Sequence, residues 1–254
     1  MARNGEHGRE RIQREGKFLA RIFQSAYEIP TGCSRRGKEA DSINHLYSPP
    51  PYLGGYVEHD VFGIADMPDT KASLRSAVRE KIKAISPTQR EMDSSRARAI
   101  LEQQSIWQHS HSILFFAPLP DELDIWPSLP VALKAGKQVF LPRFESATKS
   151  YAACEVRNPD TDLKVGQFGI REPTETCPGI PLNRLDLILV PGVAFDLHGR
   201  RLGRGKGFYD QLLAAVRGKT CGVAFDEQMV NEVPVEPHDV LLNCILTPSH
   251  WIEF

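Results

Sequence analysis

Leu185-Asp-Leu-Ile-Leu-Val-Pro-Gly-Val-Ala-Phe195 is an apolar run broken at Pro191 and Gly192, and it is followed closely by Arg200-Arg-Leu-Gly-Arg-Gly-Lys-Gly-Phe-Tyr-Asp210. The first stretch reads as a buried strand of an α/β protein that breaks into a loop. In the second, Gly203, Gly205 and Gly207 let backbone N–H groups approach a ligand closely, while Arg201, Arg204 and Lys206 supply cations between them. This is phosphate-binding chemistry at the end of a strand. The loop is not of Walker type, because no Ser or Thr follows the Gly-Lys pair, and it is not Gly-x-Gly-x-x-Gly. A basic surface turn between strand and helix is the plainer alternative. Asp210 argues against it, since a carboxylate directly after such a loop can hold Mg²⁺ against bound phosphates.

Downstream, Phe208 to Val216 continues as a helix and Lys219 to Phe225 reads as a further central strand ending at Asp226. A loop carrying His238 and Asp239 then leads into a final apolar strand, Leu241 to Leu246. Upstream, Leu74, Val78 and Ile82 recur every four residues, so Lys71 to Lys83 is an amphipathic helix. Lys71 and Arg75 lie one turn apart on it and could reach one anion, or could be two solvated cations. Ser86-Pro87 caps a second helix that runs to about Gln104.

Ser112 to Ala117 reads as a short buried strand, and the turn after it places Asp121, Glu122 and Asp124 at its C-terminal end. Ligands of open α/β sheets bind at such ends, so one of these carboxylates is a substrate candidate. Trp126 to Ala135 is a crossover helix, Gln138 to Arg143 the next strand, and Tyr151 to Val156 another. Leu163 to Pro173 reads as a loop in which Phe168 and Ile170, flanked by glycine, either wall a flat ligand or plug the core.

The 254 residues, 41% of them hydrophobic, are enough for one large or two small domains with a substantial core. A net charge of −1 makes the basic loop a local feature and argues against broad attraction to nucleic acid or membrane. The cysteines Cys33, Cys154, Cys177, Cys221 and Cys244 are odd in number and form no Cys-x-x-Cys pair, which suggests a reducing compartment and no zinc site. No apolar run approaches the ~18 residues of a membrane span, so the expected location is cytoplasmic. Residues 1 to 68 differ in texture from the rest. Apart from a possible helix over Glu10 to Ile29, they read as a poorly ordered N-terminal extension, with residues 69 to 254 forming the α/β domain. No Gly-x-Ser-x-Gly elbow and no second His at triad spacing are present, so covalent serine chemistry is not expected.

From about residue 70 to 248 the chain resembles the 5-formyltetrahydrofolate cyclo-ligase family, also called methenyltetrahydrofolate synthetase. The resemblance is carried, in order, by Lys71-Ala-Ser-Leu-Arg75, Asp121-Glu-Leu-Asp124, Leu141-Pro-Arg143, Gly169-Ile-Arg-Glu-Pro173, Val190-Pro-Gly-Val-Ala-Phe-Asp196 and Arg201-Leu-Gly-Arg-Gly-Lys-Gly-Phe-Tyr-Asp210. It implies a three-layer α/β sandwich with a mostly parallel central sheet, of CoA-transferase-like type. It also implies use of Mg²⁺ and ATP to close 5-formyltetrahydrofolate into 5,10-methenyltetrahydrofolate with release of ADP and phosphate. In the family picture the formyl oxygen attacks the γ-phosphate to give an imidate phosphate, and N10 then attacks the activated carbon. Positioning and charge neutralisation dominate such a step, in keeping with a chain rich in phosphate-binding features.

The resemblance makes Arg204 and Lys206 the catalytic cations. It assigns ATP binding to Lys71, Ala72, Ser73, Leu74 and Arg75 and to Arg201, Leu202, Gly203, Arg204, Gly205, Lys206, Gly207, Phe208 and Tyr209. Glu122 would hydrogen-bond the pterin, Phe168 would line the folate site, and Asp210 and Asp239 would hold Mg²⁺. The expected partners are these small molecules, with no nucleic acid or membrane, and the expected state is a monomer. Phe208 stands where the family often has Tyr, and Asn243 where an acidic residue is common. A non-catalytic ATP- or folate-binding paralogue would be expected to lose a phosphate cation or a metal carboxylate, yet Arg201, Arg204, Lys206 and Asp210 all remain. A sugar-phosphate isomerase of the same architecture would leave the Lys71–Arg75 helix start idle.

Overall fold

In the strand Leu187–Pro191, Leu187 and Leu189 enter one apolar cluster while Ile188 and Val190 enter another. A strand buried on both faces belongs at the centre of a parallel sheet with cover on each side, and the neighbouring strands bear this out. The computed structural model describes residues 70–145, 150–166, 169–236 and 239–254. The chain divides into units of residues 1–51 and 52–254, and only the second contains described residues. The extension to residue 68 and the helix expected within it lie outside them.

The first helices are α1 (Lys71–Ala84), α2 (Pro87–Gln103) and α3 (Ser105–His109), followed by strand β1 (Ser112–Leu114), helix α4 (Ser128–Lys134) and strands β2 (Gln138–Glu145) and β3 (Ser150–Glu155). Short strands β4 (Leu163–Val165), β5 (Arg171–Pro173) and β6 (Gly179–Ile180) precede the central β7 (Leu187–Pro191). A small hairpin of β8 (Ala194–Phe195) and β9 (Arg201–Leu202) leads to α5 (Phe208–Ala215), β10 (Lys219–Val223), β11 (Cys244–Leu246) and β12 (Trp251–Glu253).

Eight strands form the main sheet in the order β12-β11-β10-β7-β1-β2-β3-β6. The five inner ones, β11, β10, β7, β1 and β2, are mutually parallel; β12 and β3 run antiparallel to them at the two flanks, and β6 pairs antiparallel with β3. Helices α1 to α4 pack on one face through Leu74, Val78, Ile82, Ala97, Leu101, Trp107 and Leu129, and α5 packs on the other through Leu212 and Leu213. Each fully buried aliphatic side chain of this kind contributes about 1.5–3 kcal/mol. Thr70 starts α1 with a reciprocal cap to Ser73, and Ser86 starts α2 by accepting from the Gln89 N–H at 3.2 Å, with Pro87 in the first turn.

The strand order reverses between β1 and β7, since the chain moves from β1 outward through β2 to one side and from β7 through β10 and β11 to the other. This switch leaves a crevice at the C-terminal ends of β1 and β7, where their loops part in opposite directions. Both the acidic turn after β1 and the glycine loop beyond β7 open at that crevice.

Two readings of the sequence need correction, and one strand escaped it. The segment from Leu163 to Pro173, expected as a loop, contains the two-stranded antiparallel sheet of β4 and β5. The last apolar strand begins at Cys244 rather than Leu241, because the Leu242 N–H is taken by the Gly199 carbonyl at 2.8 Å. The edge strand β12 was not foreseen, its three residues carrying too little alternation to read. Among the described residues no helix is long and apolar enough to cross a membrane.

Candidate active site

The glycine loop leaves β9 at Leu202 and enters α5 at Phe208. Gly205 and Gly207 have φ of +99° and +67°, a region that favours glycine and that a side chain would strain. At Gly192, the break after β7, an added Cβ would come within 2.6 Å of the Phe195 ring and 3.0 Å of Arg201, so only glycine lets the loop lie this close. Arg75 reaches across from α1 and donates from Nε to the Gly203 carbonyl at 2.8 Å, fixing the loop against the helix start. Lys71, one turn earlier, turns instead to Asp239 at 3.0 Å and Glu236 at 3.1 Å. The two cations of this helix therefore secure two different loops. Burial disfavours the charged form of Lys71, but hydrogen bonds to Asp239 and Glu236 outweigh it and raise its pKa.

The loop cations are not equivalent. Arg201 lies in the short strand β9 with its side chain 4% exposed, and it donates from Nη2 to Asp210 Oδ1. Burial lowers its pKa against the opposing pull of Asp210, Tyr209 and Asp239. Arg201 is thus an internal cation linking β9 to the first turn of α5, while Lys206 lines the open cleft. Arg204 crosses the cleft to the acidic turn, reaching Asp121 Oδ1 at 2.8 Å and Glu122 Oε1 at 2.9 Å. The Glu122 side chain is only 7% exposed and also accepts from the Leu119 N–H at 3.0 Å. Burial raises the Glu122 pKa despite these donors, whereas in the more exposed Asp121 the Arg204 contacts overcome burial and hold the carboxyl below its usual range.

Between loop and turn lies a cleft of about 390 Å³, lined by Glu122, Arg201, Gly203, Arg204, Lys206, Gly207, Phe208, Tyr209 and Asp210 together with Phe116, Tyr151, Pro191 and Gly192. The side chains of Leu74 and Leu202 are buried in the core, so these two positions offer a ligand only backbone. Ser73 is engaged in the cap of α1. Tyr209 packs against both apolar clusters, and its burial pushes the phenol far above its ordinary pKa. Phe168 and His238 lie outside the described residues.

A feature the sequence did not disclose is an aromatic wall. Phe208 meets Tyr151 edge-on at 5.3 Å and Phe144 at 5.8 Å between ring centroids, and Phe144 and Tyr151 are cross-strand partners in β2 and β3. Residues 146–149 contain no Gly, Pro, Asn or Asp to mark a turn, so the register that joins these rings could not be read. Leu119, Glu122, Ile170 and Arg171 also border a second cavity of about 710 Å³, in which the Arg171 guanidinium sits 5.3 Å from the centre of the Trp126 ring. Asn243 is remote from the cleft: it precedes β11, at the opposite end of the parallel strands, and its Oδ1 accepts from the Thr220 N–H at 2.9 Å.

A parallel sheet with a crevice at its switch point, a cationic glycine loop on one bank and a paired carboxylate on the other defines an α/β protein with a charged cleft where such folds bind their ligands. Comparison with known proteins makes the class particular. Residues 68–248 match the 5-formyltetrahydrofolate cyclo-ligase family. The 5-formyltetrahydrofolate cyclo-ligase of Escherichia coli K12 is 32% identical over 177 residues, spanning 68% of this chain and 97% of the bacterial protein. That of Mycolicibacterium smegmatis is 32% identical over 190 residues, covering 73% and 97% respectively. The solution structure of Aquifex aeolicus 5,10-methenyltetrahydrofolate synthetase superposes with a TM-score of 0.66 at 34% identity, covering 72% of this chain and 92% of that one. The chain belongs to the 5-formyltetrahydrofolate cyclo-ligase family and is an enzyme of the ligase class.

Proposed function

We propose that this protein couples ATP hydrolysis, with Mg²⁺, to closure of 5-formyltetrahydrofolate into 5,10-methenyltetrahydrofolate, on a three-layer scaffold of CoA-transferase-like type. The observation that carries the reading is the opposition of Arg204 and Lys206 to Glu122 across a single cleft. A phosphate-binding loop and a buried carboxylate acceptor for a heterocycle then face the same space. The formyl oxygen forms a bond to the γ-phosphorus as the bond to ADP breaks. N10 then adds to the activated carbon, phosphate leaves with the former formyl oxygen, and the N10 proton is lost.

In this reading Arg204 and Lys206 neutralise charge on the transferring phosphoryl group, and Gly203, Gly205 and Gly207 bring backbone N–H donors to the nucleotide. Arg75 holds the loop in place, and Lys71 orders the segment bearing Asp239. Glu122 orients the pterin beside an aromatic wall of Tyr151 and Phe208. Among the described residues no three metal-binding side chains converge into a closed cage. Mg²⁺ needs none, being commonly held by one or two carboxylates together with substrate phosphates and water. Asp210, which lines the cleft, fits that donor set, while Asp239 accepts from Lys71 and from the Glu236 N–H. Bound there, the ion would offset phosphate charge.

The test is to incubate the purified protein with 5-formyltetrahydrofolate and Mg·ATP and follow the absorbance of the methenyl product. Growth that requires ATP is expected; a folded protein giving no product overturns the assignment.

A further inference from the structure

Arg204 has five N–H donors, and four of them are spent on the acidic turn. Nε and Nη2 converge on Glu122 Oε1 at 3.0 and 2.9 Å, while Nη2 and Nη1 reach Asp121 Oδ1 and Oδ2 at 2.8 and 3.2 Å. A guanidinium so committed can give a phosphoryl group little more than one N–H without releasing a carboxylate. The two carboxylates differ in what release entails. The Asp121 side chain is 42% exposed and rehydrates, but that of Glu122 is 7% exposed and would be left as a buried charge short of donors.

Glu122 is engaged from its own side as well. One oxygen is taken by the Leu119 N–H and the other by Arg204, so a heterocycle that donates to this carboxylate must displace or share the Arg204 contact. The same ion pair therefore has to open for the nucleotide to use Arg204 fully and for the folate to use Glu122 fully. Either ligand alone bears the whole cost of opening it. The second to arrive finds it already open, which is positive coupling, and coupling of this kind is reciprocal.

We infer that the Arg204–Glu122 contact is a latch coupling the two substrate subsites, so that folate N–H donors on Glu122 release Arg204 to the phosphates. This inference rests on the function proposed above. Asp121 lies outside the coupling, because its exposed carboxylate can exchange Arg204 for water whether or not the folate is bound. The latch also delivers the full cation to the phosphates only when the acceptor is in place, which disfavours transfer to water.

The test measures the affinity of the full-length protein for a non-hydrolysable ATP analogue with Mg²⁺ by calorimetry, with and without saturating 5-formyltetrahydrofolate. The wild type is expected to bind the analogue about tenfold tighter with folate present, within the usual range of coupling between sites. Glu122→Gln removes the charge that holds Arg204 while keeping the shape of the side chain. It is expected to bind the analogue alone several-fold tighter than wild type does, with folate adding nothing. Such a gain would not arise from a merely damaged protein. Asp121→Asn is expected to keep the coupling. If the wild type binds both ligands independently, or Glu122→Gln shows no gain for the analogue alone, the latch is refuted and the proposed function stands. If the folded wild type binds neither ligand, both fall.

Discussion

Replacing Asp210 by Ala should destabilise the protein even when no nucleotide or metal is present, because its carboxylate is the main partner of a buried cation. The Arg201 side chain is 4% exposed, and among the described residues its Nε has no hydrogen-bond partner and its Nη1 reaches only the Pro191 carbonyl at 3.4 Å. Removing one member of a buried pair costs about 3–5 kcal/mol. Asp210 itself is 25% exposed, so water can follow into the space it leaves, and a figure of about 2–3 kcal/mol is the better expectation. For a domain of this size each kcal/mol moves the unfolding midpoint by about 2–4 °C, which predicts a fall of about 4–12 °C. Asp210→Asn keeps an acceptor oxygen for Arg201 and should lose about half as much. Thermal unfolding followed by circular dichroism in the presence of a chelator gives the comparison. An Ala variant that melts within about 2 °C of wild type would refute the reasoning. Asp210 would then be free of a structural duty. The predicted result instead gives Asp210 a structural duty toward Arg201, separate from the metal-binding role proposed for it.

Two further outcomes can be checked directly. Lys206→Ala, which removes a cation from the transferring phosphoryl group, should lower turnover at saturating substrates by about a hundredfold or more, and wild-type turnover would exclude that role. Asp186 accepts from the His111 and Ser112 N–H groups at 2.8 and 2.9 Å, and although burial opposes ionisation these bonds hold its pKa below the ordinary value. Its contribution to stability is therefore fully present above the unfolded value of about 3.9 and is lost as pH falls through the lower folded value. Urea midpoints of wild type and Asp186→Asn should differ by a constant amount above about pH 5 and converge in stronger acid; a gap that persists to the lowest pH at which both fold would count against it.

Much of the scaffold was legible because periodicity is a local property. Leu74, Val78 and Ile82 declared a helix face, Ser86-Pro87 a helix start, and Leu187 to Val190 a strand buried on both sides. The short strands β4, β5 and β12 were not legible, since three residues are too few to establish an alternation. Residue type and spacing likewise singled out Arg201 to Asp210 as a candidate anion loop and Asp121, Glu122 and Asp124 as substrate candidates.

Spacing alone could not say what those side chains do to one another. That Arg201 is an internal cation, that Arg204 is held by Glu122, and that Lys71 and Arg75 secure separate loops all depend on contacts between residues 9 to 168 positions apart. Such contacts are set by sheet order. The sequence by itself determined the longer elements and singled out the candidate anion loop, because both follow from local pattern. Only the tertiary structure decided which charges are buried, which are already paired, and which aromatic rings meet, because burial and pairing arise when β1 and β7 come side by side and bring their loops to one crevice.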